Sequence, residues 1–274
     1  MLPTGLFGLS AASYTLVNTI GVFMAALAAI TLMVIEWLRR KRLAKALPVQ
    51  SLRRRPNLPF FILSYVVAYG LLVPGTYLTG RLFNVTVLLG QPAVFNSGVN
   101  FASGVLIFIG IFLLMARIFP GNGKPTEQLE VVLPALALNH VFNRLACLLG
   151  GCCFGVPTTH VGFIYPESAP ASEIYGEGTH TFPNLVIESS VMLVCFVVLL
   201  ILHFRGKRTL PIFPLVFGGT GFLLGFVMNH SYEPLKPLFN FTYPTAFTHL
   251  LVFLVGVLFL LLELHRKKRE RMAE

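Results

Sequence analysis

The chain has 274 residues, of which 55% are hydrophobic and 12% charged, with a mean hydropathy of +0.76 and a formal net charge of +10. Soluble domains carry about 25% charged residues, so half that share excludes an ordinary water-soluble domain and points to a membrane protein. The positive charge does not indicate nucleic acid, because the basic residues sit in short segments between long apolar runs.

Seven apolar stretches, 11–37, 59–82, 99–119, 131–150, 184–203, 211–229 and 246–264, reach the roughly 17–25 residues that a bilayer crossing needs. The expected fold is an all-α polytopic membrane protein of seven transmembrane helices, forming one membrane domain over residues 1–274. Met1–Ser10 ahead of the first span carries no basic residue, so no secretory signal peptide is expected. The first connection holds Arg39, Arg40, Lys41, Arg42, Lys45, Arg53, Arg54 and Arg55. The second span contains Pro74-Gly75, a site for a kink. Residues 84–98 that follow are mostly apolar.

Arg117 and Lys124 mark the connection from third to fourth span, and Arg205, Lys207 and Arg208 that from fifth to sixth. The sixth span carries Gly218, Gly219, Gly221 and Gly225, which suits close helix contacts. The tail brings Arg266, Lys267, Lys268, Arg269 and Arg271. All but Arg81, Arg144 and Lys236 of the 21 basic residues therefore fall on one side of seven alternating helices. That side is expected to be cytoplasmic, with the N-terminus outside and the C-terminus inside.

The outer connection 151–183 has no lysine or arginine but combines Phe154, Phe163, Tyr165, Tyr175 and Phe182 with many glycines and prolines. Disordered segments are poor in aromatics, so this segment is expected to form a folded, cap-like extracytoplasmic loop. A second outer loop, 230–245, contains His230, Tyr232, Glu233, Lys236 and Tyr243 and could pack against it. The four cysteines do not make a disulfide framework, no paired CxxC spacing appears, and no metal site is expected.

Asn139, His140, Asn143 and Arg144 stand in the fourth span. His140, Asn143, Arg144 and Cys147 are spaced i, i+3, i+4 and i+7 and share one helix face. A charge inside a span costs about 2.5–3.5 kcal/mol on insertion scales, so it faces a protein interior or watery cavity and marks a functional site. Arg144 lies in the outer half of its span, at headgroup depth. There a guanidinium offers a planar fork to a phosphate oxygen pair. The bland alternative is that Arg144 pairs with Glu188 or with helix-end carbonyls and merely locks the bundle. His140, one turn away, has an ordinary pKa of about 6.5 and is a candidate proton acceptor. His160 and His249 also belong to the outer side.

The string His140-x-x-Asn143-Arg144-Leu145-x-Cys147-Leu148-x-x-Gly151-Cys152-Cys153-Phe154-Gly155-x-Pro157 resembles the signature of prolipoprotein diacylglyceryl transferases. It is most similar to the branch reading roughly HAxGRxGCFxxGCCYGxPT. Val161-Gly162-Phe163-x-Tyr165-Pro166 and Phe182-Pro183-x-x-x-x-Glu188-Ser189 fall where that family has a GVxFP-like segment and an HPxQLYE motif. Ser13-Tyr14 occupies the place of a first-helix SYG, and Ser103-Gly104 that of a third-helix Gly-Gly. The resemblance implies a transferase of the bacterial cytoplasmic membrane that needs no cofactor. It would move the diacylglyceryl group of phosphatidylglycerol to the lipobox cysteine at the prelipoprotein signal peptide, or carry out a related lipid headgroup transfer.

By position, Arg144 matches the arginine that contacts the lipid phosphate, and Tyr14, Asn143, Gly155 and Glu188 are substrate-site candidates. His140 is the first candidate for proton removal. His180, two residues before Phe182-Pro183, is the second and stands near the motif's missing histidine. A polar cavity lined by Tyr14, His140, Asn143, Arg144 and Glu188 is expected to open toward the outer leaflet.

The chain also departs from the family. Ala102 stands where many members have a histidine before the third-helix Gly-Gly. A pattern like RFxxEFxR reads Gly221-Phe222-Leu223-Leu224-Gly225-Phe226-Val227-Met228 here, without its three charges. These losses favour a second reading, a non-catalytic lipid-binding or accessory membrane protein on the same fold.

Overall fold

The computed structural model describes residues 11–46, 57–87, 101–119, 123–151, 153–159, 161–165, 167, 172, 175–225 and 244–272. Helices α1 (Ala11–Ala46), α2 (Leu58–Val87), α3 (Phe101–Ile118) and α4 (Pro125–Gly150) lead into three two-residue strands. These are β1 (Pro157–Thr158), β2 (Phe163–Ile164) and β3 (His180–Thr181). Helices α5 (Asn184–Phe204), α6 (Ile212–Leu224) and α7 (Pro244–Arg271) follow. Loops 84–98 and 230–245 of the sequence analysis lie largely or wholly outside the described residues.

Six of the helices, all but α6, are long and apolar enough to cross a membrane. The stretch expected at 211–229 is helical over thirteen residues. At 1.5 Å per residue that is about 20 Å, short of a hydrocarbon core of about 30 Å; residues 226–229 lie outside the described residues. The helices also outrun the apolar stretches at their basic ends. α1 continues to Ala46 through its arginines, and α4 starts at Pro125 rather than 131. Proline suits the first helical position, and the Glu127 carboxylate accepts the otherwise orphaned Lys124 backbone N–H at 3.4 Å.

α4 is the hub, packing against α1, α3, α5 and α6. The residues from Leu129 to Ala137 are all buried. Opposite faces of the outer helices are apolar and bare, with Phe23 71%, Val194 63% and Leu223 68% exposed. Such faces are stable only against lipid. Between α2 and α3 the core is aromatic: Phe61 meets Phe112 edge-on at 6.3 Å, and Tyr65 meets Phe108 at 5.9 Å.

Small residues set the helix spacings. A methyl group at Gly21 of α1 would overlap Phe142 of α4, and one at Gly218 of α6 would overlap the Phe253 backbone of α7. Close backbone approach of this kind gives dispersion contact where no hydrophobic driving force separates helix from lipid.

The basic residues gather at one end of the bundle. Glu36 of α1 holds Arg39 at 2.8 Å and Arg40 at 2.6 Å. Arg40 also reaches Glu127 of α4 at 3.4 Å. Arg208, from the α5–α6 connection, reaches Glu127 at 3.2 Å and Glu130 at 3.4 Å. The C-terminus of α1, the N-terminus of α4 and the end of α5 thus meet at the same level.

Gly218→Val should force α6 from α7 and lower stability by about 1–3 kcal/mol, the usual cost of overpacking. Gly110→Ala on α3, where an added methyl meets nothing within 4 Å, should be neutral or slightly stabilising. Thermal melts of both variants in the same detergent measure the difference.

Candidate functional site

The segment joining α4 to α5 departs from the all-α expectation by folding into an antiparallel sheet of order β1-β3-β2. Strands of two residues are too short for alternation to show in sequence, so they escape a periodicity reading. Thr181 lies opposite Pro157 and Phe163, and His180 opposite Thr158 and Ile164. The Thr181 hydroxyl donates to the Phe163 carbonyl at 3.1 Å. Phe154 packs edge-on against Tyr165 at 6.3 Å and Tyr175 at 5.6 Å.

α4 is capped by Gly151, whose φ of 65° is the left-handed conformation that glycine adopts without strain. Cys153 takes φ 59°, uncommon for a residue with a side chain. Its carbonyl accepts a hydrogen bond from the Asn184 side chain of α5 at 3.0 Å. Gly155 passes so close to Phe182 that a methyl group there would overlap the Phe182 carbonyl. That accounts for glycine at 155 by backbone approach. The motif turn is therefore fastened to the first residue of α5.

One turn into α5, Glu188 points back at α4. Its Oε1 is 2.6 Å from His140 Nε2 and its Oε2 is 2.9 Å from Arg144 Nε. Arg144 Nε also lies 3.3 Å from His140 Nε2. The three side chains are buried, at 0% exposure for His140, 1% for Glu188 and 5% for Arg144. Charges so deep are tolerated only when paired, and a carboxylate between a guanidinium and an imidazole satisfies that condition.

The distances assign the proton on His140. Nε2 cannot both accept from Arg144 and face a carboxylate at 2.6 Å without a proton, so the shorter contact decides: Nε2–H donates to Glu188. In the neutral ring the lone pair then rests on Nδ1, which is buried without a hydrogen-bond partner among the described residues. Asn139 Oδ1 and Ser189 Oγ nearby in sequence are in the same condition. Phe101 of α3 and Phe217 of α6 flank the ring, at 4.9 Å and 4.8 Å between centroids.

The candidates separate accordingly. His140, Arg144 and Glu188 come together. Asn143 turns toward α1, where its amide donates to Asn18 at 3.4 Å. His180 sits on the central strand, and among the described residues no hydrogen bond, ion pair or ring contact joins it to Arg144 or Glu188. Tyr14 is in α1, its side chain outside the described residues. Ala102 is buried beside Phe101, and Gly225 caps α6; Met228 lies outside the described residues. Three residues escaped the sequence reading as partners: Asn18, Asn184 and His249. None of the three carried a local signal for its contact: Asn184 follows the capping Pro183 and donates to a carbonyl 31 residues away. Among the described residues no group of three His, Cys, Asp or Glu side chains is arranged to hold a metal.

Glu188→Ala should leave Arg144 buried without a counter-charge and cost about 3–5 kcal/mol. Glu188→Ala combined with Arg144→Leu should cost less than the sum of the two single changes, because the stranded charge is gone. Unfolding of the four proteins in a double-mutant cycle reads the coupling.

Residues 6–271 match the family model for prolipoprotein diacylglyceryl transferase. A phosphatidylglycerol–prolipoprotein diacylglyceryl transferase 2 of Clostridium perfringens (strain 13 / Type A) is 30% identical over 112 residues, covering 38% of this chain and 40% of that protein. A phosphatidylglycerol–prolipoprotein diacylglyceryl transferase of Clostridium tetani (strain Massachusetts / E88) is 33% identical over 66 residues, covering 23% and 26%. These alignments span less than half the length of either relative. The family match, by contrast, runs from α1 to the end of α7 and includes the turn and ion-paired cluster described above, and the chain belongs to the prolipoprotein diacylglyceryl transferase family.

Proposed function

We propose that the chain transfers the diacylglyceryl group of phosphatidylglycerol to the lipobox cysteine of a prelipoprotein, in the bacterial cytoplasmic membrane. It does so as one membrane domain of seven spans, with the basic end of the bundle inside and residues 151–183 as an extracytoplasmic cap. The observation that carries this reading is the buried Arg144–Glu188–His140 cluster under the motif turn.

The reaction breaks the bond between the glycerol carbon and its phosphate oxygen and forms a carbon–sulfur bond. The incoming thiol must lose its proton, since the thiolate is the nucleophile. His140 is set for that step: Nε2–H is held by Glu188, so Nδ1 presents the lone pair. Glycerol phosphate departs with the bonding pair, and a guanidinium stabilises that charge in a dry site. Arg144 contacts Glu188 and His140 through Nε. In this reading Nη1 and Nη2 meet two phosphate oxygens while Glu188 fixes the plane of the guanidinium. Asn143, Gly155 and Tyr14 then act in shaping the path of the substrate, and His180 is the second candidate for the proton.

A second reading has its own observation. Glu188 already neutralises Arg144, and Ala102, Gly225 and Met228 bring no charge of their own. A chain so arranged could hold a lipid headgroup without turning it over, as an accessory membrane protein.

Purified protein given phosphatidylglycerol and a lipobox peptide should release glycerol phosphate. Arg144→Lys should lose nearly as much activity as Arg144→Ala, because a point charge lacks the bidentate fork. His140→Ala should lower turnover more than lipid binding. Lipid binding without release in every variant, wild type included, would favour the accessory reading.

The orientation has a separate test. Reporter fusions after Gly121 and Lys207 should read inside and one after Glu173 outside. A fusion at Glu173 active only in the cytoplasm would overturn the topology.

A further inference from the structure

His249 is buried at 1% exposure, five residues into α7 and so about 8 Å from the start of that helix. A histidine at that depth in an apolar helix has to be held by protein, because lipid offers it nothing. Its ring leans on Phe217 at 4.9 Å between centroids, and Phe217 in turn meets His140 at 4.8 Å. Glu188, which bridges His140 and Arg144, is also within electrostatic reach of His249. α6 passes between the two histidines, and it can do so only because residue 221 is glycine. A methyl group there would overlap the imidazole of His249. The ring occupies the volume that a side chain at 221 would fill.

Charge counting gives this placement a purpose. Arg144 and Glu188 cancel, and His140 is neutral while its Nδ1 awaits a proton. A phosphodiester entering this interior would be a net buried anion, which costs several kcal/mol unless a cation accompanies it. Among the described residues at this level, α3 has no titratable group before Arg117 at its far end, and α6 presents Phe217, Gly218 and Gly221. α4 and α5 supply His140, Arg144 and Glu188, whose charges are already spoken for. On α7 the described titratable group at this level is His249, within electrostatic reach of Glu188.

We propose that His249, whose ring stands in the space left by Gly221, is the second cationic contact for the lipid phosphate, taking up a proton when an anionic phospholipid enters. The inference deepens the proposed function, resting on it for the neutral state of His140, but its binding arm is independent of turnover.

The test measures binding of labelled phosphatidylglycerol to the full-length protein in phosphatidylcholine nanodiscs. Wild-type affinity should fall as pH rises from about 5.5 to about 8, the range over which an imidazole loses its proton. Binding in weak buffer near neutral pH should consume protons, a reading that needs no variant. His249→Gln should bind about tenfold more weakly at the low end of that range and lose the pH dependence, about 1.4 kcal/mol. Gly221→Arg combined with His249→Ala should restore affinity without restoring the pH dependence, which a merely structural histidine would not allow. Inorganic phosphate at equal concentration should not displace the lipid, and displacement would overturn the assignment of the ligand as a membrane lipid. No proton uptake, or a folded His249→Gln with unchanged affinity and pH profile, would overturn the role of His249. If wild type binds in this way yet releases no glycerol phosphate to a lipobox peptide, the transferase reading fails and this inference stands. If release occurs and His249→Gln binds like wild type, the inference fails alone.

Discussion

Glu188 joins two helices that lipid alone would leave indifferent to one another. Its carboxylate meets Arg144 at 2.9 Å and His140 at 2.6 Å, and neither the charge on α4 nor that on α5 is tolerable without the other. Much around it follows from that requirement. Arg144 and Glu188 must meet within about two turns of the helix ends that the connection joins, so the intervening segment must double back tightly over those ends. Gly151 in the left-handed region, Cys153 clamped by Asn184, and Gly155 under Phe182 are the means. The imidazole, pinned at Nε2, is left with one orientation.

The two ends of the bundle use charge differently. At the basic end Arg40 and Arg208 are partly exposed and share Glu127, an arrangement that water can dissolve or screen. Such pairs fix level and register at modest energy. At the opposite end three groups are sealed from solvent, where the same Coulomb attraction is far stronger and an error in geometry far more costly. Precision is needed at the second end and adaptability at the first.

How much of this could be read from sequence depended on the distance over which each rule acts. His140 and Arg144 were legible as a pair because residues four apart on a helix stand one above the other. The same rule misled at Asn143. Steps of 100° put it about 60° to one side of His140 and Arg144 about 40° to the other, so the two diverge toward α1 and α5. Glu188 was visible as a lone acid at a helix start, but its contact with His140 spans 48 residues and no local period encodes it. His249 gave no signal, because a single histidine in an apolar run looks the same whether it fills space or carries a proton. The apolar spans themselves were plain, since hydropathy integrates over many residues, except that α6 is helical for only thirteen. The small sheet was invisible for the opposite reason, its strands being two residues long.

The separation of His140 and Glu188 by 48 residues also bears on how the protein is made. A ribosome adding roughly 5–20 residues per second delivers Glu188 about 2–10 s after His140. During that interval the nearest acid to Arg144 on α4 is Glu130, fourteen residues away, and settling without a partner among acyl chains costs about 2.5–3.5 kcal/mol. α4 is therefore expected to linger at the insertion machinery until α5 emerges, and the two to enter the bilayer as a hairpin. Losing the glutamate would then be felt first by the cell's membrane quality control, before any substrate is met.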